Sequence, residues 1–141
     1  MQNFFQKNNK NFATFSDAVT AACDGLFYVS ETDARVLPFC GGAAQDVTGE
    51  NILHQTNSNT ATPVEEISFY EFFDRLTAIK DWYGAAERER AEKFLGLQKL
   101  LEENLRDLKV FRLGKVRLAI FAVGIDKDGR LMGITTGAVE T

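Results

Sequence analysis

Residues 109–140 read KVFRLGKVRLAIFAVGIDKDGRLMGITTGAVE, and this stretch decides the fold. Branched and aromatic apolar residues recur in short runs that glycines interrupt, a pattern typical of β-strands joined by turns. The tetrapeptide DKDG at 126–129 predicts the tip of a hairpin. The C-terminal third is therefore expected to form antiparallel strands, the last of which runs almost to the end of the sequence.

A long amphipathic helix is expected before these strands, from Ala85 to about Asp107. Apolar residues recur there at spacings of three and four, namely Phe94, Leu97, Leu101, Leu105 and Leu108. Acidic residues also precede basic residues by one turn, in the pairs Glu89/Lys93 and Glu102/Arg106. The pattern predicts one buried face and one solvated face.

A shorter helix is indicated by the tetrapeptide SFYE at 68–71. In such a capping box, Ser68 and Glu71 can each accept a hydrogen bond from the other's backbone amide. The helix is expected to continue to about Thr77 and to bury Phe69, Phe72, Phe73 and Leu76.

The N-terminal half is expected to hold one further helix and two strands. Residues 16–25 read SDAVTAACDG, with Ser16 as the N-cap and Gly25 as the residue that ends the helix. The stretches LFYVSE at 26–31 and RVLPFCGG at 35–42 follow as candidate strands, and the Gly-Gly pair predicts a turn.

These elements fit one domain. The polar stretch HQTNSNTATP at 54–63 is the expected loop, and it joins two parts of that domain. A chain of 141 residues is long enough to bury a core without cross-links. We expect a single α+β domain over residues 1–141, with residues 1–15 as a candidate flexible segment.

The charge distribution indicates what kind of partner the chain could bind. The formal net charge is −4, which argues against non-specific binding to nucleic acid. Residues 17–81 hold eleven acids and three bases. An acidic surface of this kind suits a basic partner, although ordinary solvation is the more common explanation for a modest imbalance.

The cysteines and the termini bear on the compartment. Cys23 and Cys40 are compatible with two free thiols in a reducing compartment, and the sequence leaves a disulfide between them open. The opening residues show no apolar leader, and no stretch is long enough to span a bilayer. The protein is expected to be cytoplasmic and to have no membrane partner.

Signals for catalysis are weak. His54 is the only histidine and lies in the polar loop, so a surface position is expected. The adjacent acids Glu65/Glu66 and Glu102/Glu103 diverge on a strand or a helix and do not form an acid and base pair. The sequence has no phosphate-binding glycine motif and no zinc-ligand spacing. We therefore expect no enzyme, no cofactor and no metal site of its own.

Two short segments suggest an interaction surface instead. The stretch KDWYG at 80–84 places the only Trp at the junction of two helices, where either a buried hinge or an exposed anchor is plausible. Glu31 ends a candidate strand at the start of a loop, a position from which scaffolds present functional side chains. The carboxylate of Thr141, beside Glu140, is a third candidate group.

Five stretches together resemble the nuclease A inhibitor (NuiA-like) family. They are DGLFYVSE, ISFYEFFDRLTAIKDWY, KFLGLQKLLEENL, VFRLGKV and GITTGAVET, in one colinear order from residue 24 to residue 141. Members block sugar-non-specific, magnesium-dependent DNA/RNA endonucleases. The resemblance implies a three-layer α/β/α sandwich with a mainly antiparallel central sheet.

The resemblance also implies which residues bind the nuclease. Its functional positions fall on Glu31, Asp81, Trp82 and Thr141, and Glu140 and Lys80 adjoin them. The expected mechanism is phosphate mimicry, with the carboxylate of Thr141 near the metal bound by the nuclease. A monomeric inhibitor in a one-to-one complex with the nuclease is expected, without direct contact to nucleic acid.

Lys80 departs from the family pattern. In a member of the family that this chain resembles, the residue before the Asp-Trp pair is a neutral amide, whereas Lys80 places a positive charge beside a surface expected to face a basic enzyme. The alternative is therefore an interaction module of the same fold that binds a different protein or ligand and inhibits no nuclease.

Overall fold

The computed structural model describes residues 14–141. The helices are α1 (Phe15–Cys23), α2 (Gly49–Gln55), α3 (Phe69–Thr77) and α4 (Ala85–Asn104). The strands are β1 (Phe27–Val29), β2 (Asp33–Arg35), β3 (Leu37–Ala43), β4 (Val64–Ile67), β5 (Arg106–Gly114), β6 (Arg117–Ile125) and β7 (Arg130–Val139). The predicted flexible segment 1–15 lies outside the described residues except for Thr14 and Phe15, which belong to the start of α1.

The main sheet has five strands in the order β3-β7-β6-β5-β4, and every neighbouring pair is antiparallel. β6 and β7 pair from Arg117 opposite Val139 to Ile125 opposite Leu131, across the hairpin that DKDG predicts. β1 and β2 form a separate antiparallel hairpin. The prediction of an α+β domain with a mainly antiparallel sheet is confirmed, and the three-layer arrangement stays a prediction.

The two faces of the main sheet carry different apolar clusters, because successive strand residues point to opposite sides. Ile120 packs in one cluster with Phe73 of α3 and Leu97 of α4. The next residue, Phe121, packs in the other cluster with Ile52 of α2. The long β5–β7 strands thus form the centre of the core, and both clusters depend on their register.

The short predicted helices are confirmed with one change of boundary. Ser68 caps α3 by accepting a hydrogen bond from the amide of Glu71 at 3.4 Å. The N-cap of α1 is Thr14, which accepts from the amide of Asp17, so the prediction of Ser16 was wrong by two residues. Both hydroxyls suit the role, and the chain enters the helix earlier than the apolar pattern suggested.

The predicted end of the long helix was wrong. α4 stops at Asn104, and Leu105 already has extended backbone angles. Asp107 takes a positive φ of 56° where the β5–β6 register shifts, and Arg106 binds Asp107 at 2.9 Å. The expected Glu102/Arg106 helix pair is therefore absent, whereas Lys93 does lie 3.9 Å from Glu89.

Several short elements were not predicted. The Gly-Gly pair expected to form a turn lies within β3, where a bulge separates Cys40 from Ala43. α2 begins before the expected 54–63 loop and includes His54, which is exposed as expected. β4 follows that loop and pairs with β5. Each is held by tertiary contacts that leave little trace in a short sequence window.

The two cysteines are free thiols: Cys23 is buried and Cys40 is exposed. Burial raises the pKa of Cys23 to about 12, so this thiol stays protonated at neutral pH. Within residues 14–141, no helix has both the length and the apolar character needed to cross a membrane.

Substitution of Gly133 tests whether the close approach of β6 and β7 contributes to stability. It has a φ of 157°, and a methyl group there would overlap the carbonyl oxygen of Ala122. We expect Gly133→Ala to lower the free energy of unfolding by about 3 kcal/mol in urea denaturation. The matched control is Gly96→Ala in α4, which has open space around it and should stabilise by about 0.5–1 kcal/mol. Equal effects of the two changes would contradict this account.

Candidate functional site

Thr141 follows the end of β7 and is held by Glu31. Its backbone amide donates to Glu31 Oε2 at 2.7 Å, and its hydroxyl donates to Glu31 Oε1 at 2.9 Å. Both oxygens of one carboxylate are therefore engaged by one residue, across 110 positions of the sequence. We call Glu31 and Thr141 the carboxylate cluster, because the pair contributes two carboxylates, the side chain of Glu31 and the α-carboxylate of Thr141.

The β1–β2 hairpin presents Glu31 to β7. Ser30 fixes the turn by donating its amide to the carbonyl oxygen of Thr32 at 2.9 Å. The hydroxyl of Ser30 also accepts from the amide of Val139 at 3.2 Å. Further along β7, the hydroxyl of Thr136 donates to the carbonyl oxygen of Arg35 at 3.0 Å. The hairpin thus covers the part of β7 that β3 leaves unpaired and sets the position of Glu31.

Glu140, the residue before Thr141, has partners of its own in β5 and in the β5–β6 turn. Its carboxylate forms an ion pair with the guanidinium of Arg112, and its amide donates to the carbonyl oxygen of Val116 at 2.9 Å. Glu65 lies 3.7 Å from Nε of the same arginine. Burial lowers the pKa of Arg112, but the hydrogen bond and charge of Glu140, with the charge of Glu65, produce a net increase.

Trp82 lies in the segment between α3 and α4 and is 73% exposed. Its ring meets that of Tyr83 edge to face, with centroids 4.7 Å apart. The amide of Tyr83 donates to the carbonyl oxygen of Lys80 at 3.0 Å, which closes a turn around Trp82. Lys80 and Asp81 are exposed as well. The buried-hinge interpretation of Trp82 is wrong, and the exposed-anchor interpretation fits.

The Trp82 segment and the hairpin share neighbours. One hollow of about 410 Å³ is lined by residues that include Tyr28 of β1 and Arg75 of α3. A second hollow of about 230 Å³ is lined by residues that include Val29 of β1 and Ala86 of α4. The hairpin therefore borders both helices that flank Trp82. Among the described residues, no hydrogen bond or ion pair joins Lys80, Asp81 or Trp82 to the carboxylate cluster.

The site can supply oxygen ligands and an aromatic surface. Carboxylate and hydroxyl oxygens suit a divalent cation or an arginine of a partner, and an exposed indole suits an apolar pocket. Among the described residues, no group of three His, Cys, Asp or Glu side chains is placed so that it could bind a metal ion.

Two residues of this site were not identified from the sequence. Ser30 gave no signal, because serine is common in turns. Arg112 did give one: it is a charged residue inside the otherwise apolar run VFRLG, and such a residue needs a partner when its strand lies in a sheet core.

A protein-family model described as nuclease A inhibitor-like protein matches residues 13–141. The match covers all of the described residues, including Glu31, the Trp82 segment and Thr141. A comparison with curated proteins gives no match.

Exposure of Trp82 leads to a stability prediction. We expect Trp82→Ala to change the free energy of unfolding by no more than about 0.5 kcal/mol, because the ring buries little area. Phe73→Ala is the matched aromatic control in the core and should cost about 4 kcal/mol. Urea denaturation measures both. A loss above about 2 kcal/mol for Trp82→Ala would show that Trp82 is a structural hinge.

Proposed function

The chain belongs to the nuclease A inhibitor-like family, and from that premise we propose that it blocks the active site of a sugar-non-specific, magnesium-dependent DNA/RNA endonuclease. The family is one of inhibitors, which is consistent with a protein that performs no catalysis itself, and it implies a nuclease as partner. In the proposed complex, the carboxylate cluster occupies the place of the scissile phosphate.

The observation that supports this proposal most directly is the pair of hydrogen bonds from Thr141 to Glu31. Terminal residues are usually poorly ordered, and ordering them on binding costs conformational entropy. Thr141 is already fixed against the hairpin in the free protein. The entropy of Thr141 is therefore lost when the protein folds and not when it binds, which favours a higher affinity for the nuclease.

The chemistry of the cluster fits an active site built for phosphate. The Glu31 carboxylate accepts two hydrogen bonds from Thr141, the residue that bears the α-carboxylate, so one residue pair supplies both anionic groups. A divalent cation prefers oxygen ligands, and arginine binds carboxylates through two parallel hydrogen bonds. We propose that Thr141 approaches the nuclease's bound metal and that Glu31 faces its basic side chains.

Trp82 and Asp81 form the second part of the proposed contact. An exposed indole with 73% of its surface free can bury a large apolar area in a partner pocket. Asp81 beside it can pair with a basic residue at the rim of that pocket. The acidic excess of residues 17–81 would raise the rate of association with a basic cleft.

The first test is inhibition of DNA degradation by a purified magnesium-dependent non-specific nuclease. The intact chain should inhibit at one-to-one stoichiometry. Removing Thr141 should weaken inhibition by about tenfold or more, because the α-carboxylate then moves back by one residue to position 140 and the two hydrogen bonds to Glu31 are lost. Trp82→Ala should weaken it by about 30-fold, the equivalent of about 2 kcal/mol.

The control for charge is Glu92→Gln, which removes one exposed negative charge on α4 and should leave inhibition unchanged. If the intact chain inhibits and removal of Thr141 has no effect, phosphate mimicry by the C-terminal segment is wrong. If Glu92→Gln matches the effect of removing Thr141, general electrostatic attraction accounts for binding.

One observation favours a second function. Lys80 is exposed beside Asp81 and Trp82, where its charge opposes a basic enzyme. If the partner is a nuclease, Lys80→Gln should strengthen inhibition by about fivefold, because a like-charge repulsion is removed. An interaction module for another partner would instead capture a different protein, and the double change Glu31→Arg with Trp82→Ala would abolish that capture without any effect on nuclease activity.

A further inference from the structure

Arg112 is an unusual residue for its place in the sheet. It lies in β5 between Phe111 and Leu113, and only 19% of its side chain is exposed. A guanidinium so placed is costly unless charged partners surround it. Its Nε atom has no hydrogen-bond partner, since Glu65 at 3.7 Å is beyond hydrogen-bond length. Glu140 is therefore the partner that offsets most of this cost.

Glu140, which immediately precedes Thr141, is held by contacts of both its side chain and its backbone. Its side chain binds Arg112, and its amide extends the β6–β7 ladder by one hydrogen bond to Val116. The next residue binds Glu31. A continuous series of contacts thus runs from β5, through Glu140, to the carboxylate cluster.

We propose that Arg112 is a positioning residue for the C-terminal segment, which it fixes through its ion pair with Glu140. Glu140 then acts by placing Thr141 and does not contact the nuclease through its side chain. The effect on inhibition rests on the proposed function, whereas the order of the segment is a property of the free protein.

The physical reason is electrostatic. Glu31, Glu140 and the α-carboxylate of Thr141 are three negative groups gathered at one chain end, and their mutual repulsion favours fraying. Arg112 supplies a positive group held on the rigid core strand β5. Its pair with Glu140 removes part of that repulsion and holds the backbone one residue before the cluster.

Glu65 provides a matched control. It approaches the same guanidinium but is 67% exposed, and it lies on edge strand β4, which does not pair with β7. Glu65→Gln and Glu140→Gln each remove one negative charge beside Arg112. Only Glu140→Gln also releases the C-terminal segment. A difference between the effects of the two variants therefore measures positioning of that segment, separately from the loss of a negative charge near Arg112.

The first measurement is amide hydrogen exchange in the free, full-length protein by NMR. Glu140→Gln should raise the exchange rate at Thr141 by about fivefold, the equivalent of an ion pair of moderate exposure. Glu65→Gln should leave it unchanged. Arg112→Lys keeps the charge and should raise exchange less than Glu140→Gln does. Unchanged exchange at Thr141 in Glu140→Gln would overturn the proposal.

The second measurement is a double-mutant cycle in the nuclease assay. Glu140→Gln should weaken inhibition by about fivefold in the intact chain and should have no further effect in a chain that lacks Thr141. Equal losses in both backgrounds would mean that Glu140 touches the nuclease, which would overturn the positioning role. If the intact chain inhibits no nuclease, the proposed function fails, and the exchange rates alone then support or overturn positioning.

Discussion

The pairing of β7 on both of its edges is the constraint on which the rest of the structure depends. β6 pairs with it along its whole length to Val139, and β3 pairs with its first half. The β1–β2 hairpin covers the remaining edge through the contacts of Thr136 and Val139. A strand held in this way cannot slip without moving every side chain to the other face of the sheet. The pairing with β6 reaches Val139, and the hydrogen bond from Glu140 to Val116 continues it by one residue, so the position of Glu140 follows from the register of β7.

The parts of the fold that could be predicted are those with strong local signals. The apolar runs of β5–β7 and the N-cap at Ser68 each determine structure within a few residues, and both were identified correctly. The end of α4 could not be predicted, because Leu105 and Leu108 continue the helical spacing. In the structure Leu105 is the C-cap residue of α4, and Leu108 lies in β5. α2 and β4 are too short to show a periodic pattern in the sequence. α2 is stabilised by packing against the main sheet, and β4 by pairing with β5 at its edge.

The candidate site was predictable to a different degree in each of its parts. Physical reasoning marked Trp82 as a candidate but could not separate a hinge from an anchor, because both occur where two helices meet. The contact between Glu31 and Thr141 joins residues 110 positions apart, and no periodicity encodes it. Only the family resemblance connected them. Arg112 carried a readable signal, a charge within an apolar strand, whose meaning depends on the sheet order that brings Glu140 near it.

The two parts of the proposed contact differ in how they are supported, and this difference assigns them different tasks. The carboxylate cluster joins the turn of the β1–β2 hairpin to the residue beyond β7 through two hydrogen bonds, and it brings several charges together, so its geometry is defined but its desolvation is costly. Trp82 sits in a turn between helices, carries no charge, and gains free energy simply by leaving water. In such an arrangement the aromatic residue provides affinity and the charged cluster determines orientation and partner. A partner that matched only one of the two surfaces would bind weakly or without blocking a phosphate site.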